Sequence, residues 1–247
     1  MNPTAAILVI GNEILSGRTQ DTNSNTLARF LAPLGIRLQE IRVVGDEEEE
    51  IVTGLNALRR RYTYVFTSGG IGPTHDDITA DAVAKAFGAA IAVHPETFAR
   101  LKARYDARGE DFNAMRQRMA RIPHGASLIE NPVSVAPGFQ LENVFVLAGV
   151  PAILQAMLED VAPRLCRGAV VLSATVSAPV AEGRIAAGLA ALQKAHPGIA
   201  FGSYPYYRAD GYGVQLVARG IDKDAVEAAA EALVALLQAA GATPQRS

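Results

Sequence analysis

Cysteine is almost missing from this chain: Cys166 stands alone among 247 residues. An internal disulfide framework is therefore excluded, and a reducing compartment, the cytoplasm, is the expectation. Long apolar runs are missing as well. Residues 5–10 are too few for a signal core or a membrane span, and no positive segment precedes them, so a soluble, non-membrane protein is expected. The formal net charge is only −2, spread without a long like-charge block apart from the acidic stretch 46–50, so nothing global points to nucleic acid or an anionic membrane. His94, His124, His196 and Cys166 lie in separate segments without zinc-ligand spacing. There is no P-loop, no Gly-x-Gly-x-x-Gly, no Gly-x-Ser-x-Gly elbow and no solenoid repeat.

What is present is apolar substance, 49% of residues against 19% charged, enough for one large or two smaller domains. The continuous apolar run 5–10 meets Gly11 and reads as a strand covered on both faces. Leu27, Phe30, Leu31 and Leu34 then form a helical stripe that Gly35 stops, and 36–44 gives a second strand ended by Gly45 and Asp46. Glutamates 47–50 fit the first turn of a helix whose buried face is Ile51, Leu55 and Leu58. Tyr64, Val65 and Phe66 make a third strand, and from Thr79 a helix places Ala82, Val83, Ala86 and Phe87 together before Gly88. Strands alternating with amphipathic helices imply an α/β fold with a mostly parallel sheet, in which ligands gather beyond the carboxyl ends of the strands. The loops at Gly11, Asp46 and Gly69 would share that edge.

From Pro95 a helical insertion over the sheet is expected, with Phe98, Leu101 and Tyr105 on one face and Phe112, Met115 and Met119 on another, interrupted near Gly109. Strands at 138–141 and 144–147 and a helix from Pro151 follow. The stretch 164–168 reads as a boundary, giving domains 1–166 and 169–247. The second has strands at 170–176, 199–204 and 212–217 with helices at 181–195 and 222–239, a β-α-β-β-α unit.

The stretch 67–79, Thr-Ser-Gly-Gly-Ile-Gly-Pro-Thr-His-Asp-Asp-Ile-Thr, puts three glycines in four positions between strand and helix. Glycines let backbone N–H groups converge on an anion, and the following helix N-terminus favours negative charge. The same glycines would equally serve a tight turn. Of Asp76 and Asp77, one is explained as a helix cap; a second carboxylate beside a phosphate makes sense if a hard cation bridges them. Asp46 could complete such a site or simply cap a helix.

These residues resemble the signature of the molybdopterin-binding domain shared by the MogA, MoaB and CinA (competence/damage-inducible) families. Gly11-Asn-Glu-Ile-Leu-Ser-Gly17, Asp21-Thr-Asn23, Val44-Gly-Asp46, Asn131-Pro132 with Ala136-Pro-Gly-Phe139, and Leu147-Ala-Gly-Val-Pro151 are similar to the CinA branch in particular. The resemblance implies a three-layer α/β/α first domain followed by a small KH-like α+β domain. It carries phosphate binding to Gly69, Gly70 and Gly72; Ser68 and Thr74 are expected to add hydroxyl hydrogen bonds, and Gly11, Glu13, Asp21 and Asn23 in the matching stretches are further ligand-binding candidates. It carries functional carboxylates, catalytic and metal-binding, to Asp77 and Asp46; Asp76 joins them as a metal candidate from the paired acids alone, since His75 and Asp76 vary from the Arg-Asp pairing of MogA relatives. Asn12 stands where many relatives have Asp, and Ala148 where a proline is common. The chain ends where longer CinA proteins continue into a nicotinamide-nucleotide deamidase domain, so that activity is not expected.

Three functions follow as expectations. The first is a Mg²⁺- or Co²⁺-dependent pyrophosphatase acting on ADP-ribose or a similar dinucleotide. The second is a molybdopterin-binding protein or adenylyltransferase of molybdenum cofactor biosynthesis, and the third a non-catalytic nucleotide-binding module, which Asn12 favours. The ligand would be a nucleotide or pterin phosphate, with molybdopterin as one such ligand, and a homo-oligomer is expected. Residues 169–247 balance six basic against six acidic side chains and lack a Gly-x-x-Gly clamp, so RNA is not the expected partner.

Overall fold

Strand β1 (Thr4–Ile10) is buried on both faces, because Ala5, Ile7 and Val9 pack into one apolar cluster while Ala6, Leu8 and Ile10 pack into another. Two-residue periodicity thus builds two cores from one strand. In this computed structural model, which describes residues 2–208 and 211–246, the chain divides into two units, Met1–Gly168 and Ala169–Ser247.

In the first unit β1 is followed by the short helix α1 (Asn12–Leu15), then α2 (Asn23–Leu31), β2 (Arg37–Val44), α3 (Glu48–Arg61), β3 (Tyr64–Ser68) and α4 (Thr79–Phe87). Helix α2 passes into a 3-10 turn that stops at Gly35 in the left-handed region, and α4 stops the same way at Gly88. Next come β4 (Ile91–Val93), α5 (Pro95–Ala107), α6 (Ala114–Gln117), β5 (Arg121–Pro123), β6 (Ser127–Ile129), β7 (Gly138–Leu141), β8 (Val144–Leu147) and α7 (Pro151–Val161). The main sheet runs β2-β1-β3-β8-β7-β6, parallel across the first four strands and antiparallel through β7 and β6. The expected mostly parallel α/β fold is what the first unit shows. Leu27, Leu31, Leu154 and Met157 of α2 and α7 cover one face, and Ile51, Leu55, Ala82 and Val83 of α3 and α4 cover the other.

Two elements escape the expected pattern. The excursion after α4 closes as a separate ribbon, β4 against β5, rather than as helices alone. Between those strands Phe112 meets Phe98 edge-on at 5.1 Å and stacks on Tyr105 at 5.4 Å, so the two expected helical faces converge on one aromatic cluster.

The second unit consists of β9 (Leu172–Ala178), α8 (Glu182–Ala195), β10 (Ala200–Arg208), β11 (Gly211–Gly220), α9 (Lys223–Ala239) and β12 (Gln245–Arg246). Its sheet, β10-β11-β9-β12, is antiparallel throughout, and Val176, Ile185, Leu216, Leu233 and Leu237 form its core. Strand β9 begins two residues later than expected, since Val170 and Val171 are 44% and 43% exposed. No helix among the described residues is long and apolar enough to cross a membrane.

Candidate functional site

Because β1 lies between β2 and β3 in a parallel arrangement, the chain changes direction across the sheet at the β1–β3 boundary, where loops part and leave a crevice. The segments leaving β1, β2, β3 and β8 reach that edge, bringing Gly11, Asp46, Gly69 and Gly149 to one side of the fold.

The glycine loop is shaped by its neighbours. At Gly69, φ is +108° and a Cβ would fall against the carbonyl oxygen of Ile10; at Gly70, φ is +70° and a Cβ would fall against the Thr79 hydroxyl. Thr79, fully buried, donates its N–H to the Gly70 carbonyl and its hydroxyl to the Gly69 carbonyl, each at 2.9 Å. Both carbonyls are thereby turned into the start of α4. The Gly69 N–H extends the β3–β8 ladder to Leu147 at 3.3 Å, while those of Gly70, Ile71 and Gly72 have no backbone acceptor among the described residues. Gly70 to Gly72 therefore present backbone N–H groups that no backbone acceptor takes up among the described residues, while Gly69 stays tied to the sheet.

Asp77 closes the loop. Its carboxylate accepts the Thr74 N–H at 2.8 Å and the Thr74 hydroxyl, and it lies against the Cα of Gly72. Asp76 is on the outside, lining neither of the two cavities at this edge, with His75 Nδ1 3.9 Å from its carboxylate. Asp46 accepts the Asn12 N–H at 2.8 Å, so it caps α1 from across the edge and not its own helix α3, whose N-terminus has no side-chain cap. Of the other two predicted metal-binding carboxylates, Asp77 lines one of these cavities and Asp46 lines neither. Among the described residues no three His, Cys, Asp or Glu side chains cluster as a ready-made metal site.

One cavity lies where β1 and β3 part, lined by Ile10, Glu13, Asp21, Asn23, Ser68 and Gly149. Asn23, 6% exposed, donates through Nδ2 to Ser68 Oγ at 2.8 Å and to the Gly149 carbonyl at 2.7 Å, and Asp21 caps α2 through the Ser24 N–H at 3.1 Å. The Glu13 carboxylate folds back against Gly11. The adjoining cavity is lined by Gly70, Gly72, Asp77, Asp81, Arg118 and Arg121. No motif or spacing in the sequence marks the two arginines. They arrive from the 91–123 excursion, and their tie to Asp81, 40 residues away for Arg121, has no local pattern.

Residues 6–167 match the family described as probable molybdopterin binding domain. The chain belongs to that family. Residues 170–246 match the middle domain of FAD synthase, not a deamidase domain. A protein of Aeropyrum pernix is 35% identical over 250 residues, covering 95% of this chain and 91% of that protein. A protein of Caldivirga maquilingensis is 38% identical over 165 residues, a match that covers 65% of this chain and 64% of the relative, so the chain spans less than two thirds of that relative's length. The crystal structure of the protein CinA from Thermoplasma acidophilum superimposes with a TM-score of 0.62 at 34% identity, covering 66% of this chain and 98% of that one. The resemblance to molybdopterin-binding domains of the MoaB, MogA and CinA kind is borne out.

Proposed function

We propose that this chain binds a phosphorylated pterin or nucleotide at the carboxyl edge of its first unit and acts at the pyrophosphate of that ligand. The observation that carries this reading is the Gly70–Gly72 cradle, whose N–H groups face no backbone acceptor while Asp77 closes the same loop and two arginines flank it. The membership of a molybdopterin-binding family supports a pterin-type ligand. The match of the second unit to FAD synthase supports a ligand of cofactor size whose two halves meet at a pyrophosphate, because FAD is a dinucleotide of that kind. We read the second unit as a KH-like α+β module from its β-α-β-β-α order, serving packing and not RNA.

Chemically, the cradle and α4 N-terminus would hold one phosphate and stabilise charge that grows on its oxygens as the bridge breaks or forms. Thr74 and Ser68 would supply hydroxyl hydrogen bonds, and the Glu13–Asn23 cavity would receive the organic part. A divalent cation on Asp77 and Asp46, if bound, would polarise the phosphoryl group and activate water. Metal-dependent hydrolysis of a dinucleotide such as ADP-ribose is the second reading, and the two carboxylates in loops at one edge favour it. Calorimetric titration with ADP, ADP-ribose and FAD, with and without Mg²⁺ or Co²⁺, tests binding; ³¹P NMR of the same mixtures tests cleavage. Absence of affinity for every phosphate compound would end the proposal, and binding without cleavage would leave the non-catalytic module.

A further inference from the structure

Arg121 and Arg118 face one acid, and they share it unequally. Arg121 forms a bidentate pair with Asp81, Nη1 to Oδ2 at 2.9 Å and Nη2 to Oδ1 at 2.6 Å, which satisfies that carboxylate. Arg118 is left at 3.8 Å from Asp81, with one long bond from Nη2 to the Asp77 carbonyl at 3.3 Å. Its Nε is buried and has no partner. A buried guanidinium N–H without an acceptor is costly, and a guanidinium whose counter-ion is distant and already held by another arginine is available to a second anion. The neighbouring acid, Asp77, already has an oxygen bound by Thr74. The cavity that Arg118 lines is also lined by Gly70 and Gly72 of the cradle and by Ala80 and Asp81 in the first turn of α4, whose leading N–H groups have no intrahelical partner.

We propose that Arg118 is the phosphate-binding arginine of this site: its planar fork grips an oxygen pair of the phosphate group lying on the cradle, and so offsets the repulsion between that phosphate and Asp77. The inference rests on the reading of the loop as a phosphate cradle. It adds a residue from outside the sheet edge and assigns it the recognition of charge. Arginine suits the task because two parallel N–H groups match two phosphate oxygens, a geometry lysine cannot copy. Arg121 cannot substitute, since its fork is already spent on Asp81.

The test is calorimetric titration of inorganic pyrophosphate into the full chain at two salt concentrations, for the wild type, Arg118→Gln and Arg118→Lys. Arg118→Gln is expected to bind at least tenfold more weakly and to lose part of the salt dependence, whereas Arg118→Lys recovers some affinity because the charge returns without the fork. In parallel, the Nε–H resonance of Arg118 in ¹⁵N-labelled wild type, assigned by its absence in Arg118→Lys, should shift when pyrophosphate is added. This arm needs no destabilised variant. Wild-type binding with an unmoved Nε–H signal, or with an Arg118→Gln affinity and salt dependence equal to wild type, overturns the role of Arg118 and leaves the cradle standing. A wild type that binds neither pyrophosphate nor ADP overturns the cradle and the inference together.

Discussion

The side-chain amide of Asn23 is bonded to the carbonyl of Gly149, 126 residues away, and the same nitrogen reaches Ser68 Oγ. One buried nitrogen thus ties the start of α2, the end of β3 and the loop after β8 into a single edge. Since the Gly149 carbonyl can only accept, the amide has one orientation, and an aspartate could not replace it. Asn23→Ala leaves that carbonyl without its donor and should cost about 1–3 kcal/mol of stability. Asn23→Asp should cost at least as much, because it brings a carboxylate against a carbonyl oxygen. Urea denaturation of the two variants measures both effects, and an Asn23→Asp midpoint equal to wild type would contradict the assignment.

Gly70 is placed by two constraints at once, a left-handed backbone and the hydroxyl of Thr79 where a Cβ would stand. Gly70→Ala is expected to destabilise the first unit by about 2 kcal/mol or more, from left-handed strain together with the forced shift of a buried residue. Phosphate affinity should fall as well, because the N–H groups of the cradle turn with the backbone. Thermal melts and pyrophosphate titration on one preparation separate the two losses.

Much of the first unit was legible because each signal was local. Gly35 and Gly88 are helix stops by their conformation, and the alternation along β1 follows directly from its apolar run. Helix α1 was not legible, since four residues without a buried face leave no periodicity to read. Strands β4 and β5 are three residues each, too short for alternation to register. Val170 and Val171 look like the start of β9 by composition, yet pairing with β11 begins only at Leu172. At the site, the glycines and Asp77 stood out by type and spacing. Arg118 and Arg121 did not, because their meaning comes from a tertiary encounter with Asp81 and not from neighbours in sequence.

Acid should weaken the first unit through Glu40. Its carboxylate accepts from Arg42 at 2.7 Å and from the Tyr62 hydroxyl at 2.8 Å, with Arg61 near, and these contacts hold it below the usual carboxylate range. A carboxyl whose folded-state value is depressed contributes stability that is complete above its unfolded value, about 4.3, and is lost as pH falls through the lower folded value. Wild type should therefore lose stability between those two points, and Glu40→Gln should show a flatter acid limb there. Denaturation midpoints from pH 6 down to 3 provide the check; parallel curves for the two proteins would remove Glu40 from the account.

Asp77 has two roles that one substitution can separate. As the acceptor that closes the 74–77 turn it needs an oxygen, which asparagine retains; as a metal ligand it needs a charge, which asparagine lacks. Under either reading Asp77→Asn should raise metal-free pyrophosphate affinity, since a like charge beside the phosphate is gone. If the turn is its whole function, the gain from adding Mg²⁺ or Co²⁺ should stay close to wild type. If Asp77 carries a cation, that gain disappears along with turnover. The response to metal is the telling quantity, and a damaged loop would instead lower affinity under every condition. Asp77→Ala supplies that comparison by removing the Thr74 acceptor too, and it should lose affinity with and without metal.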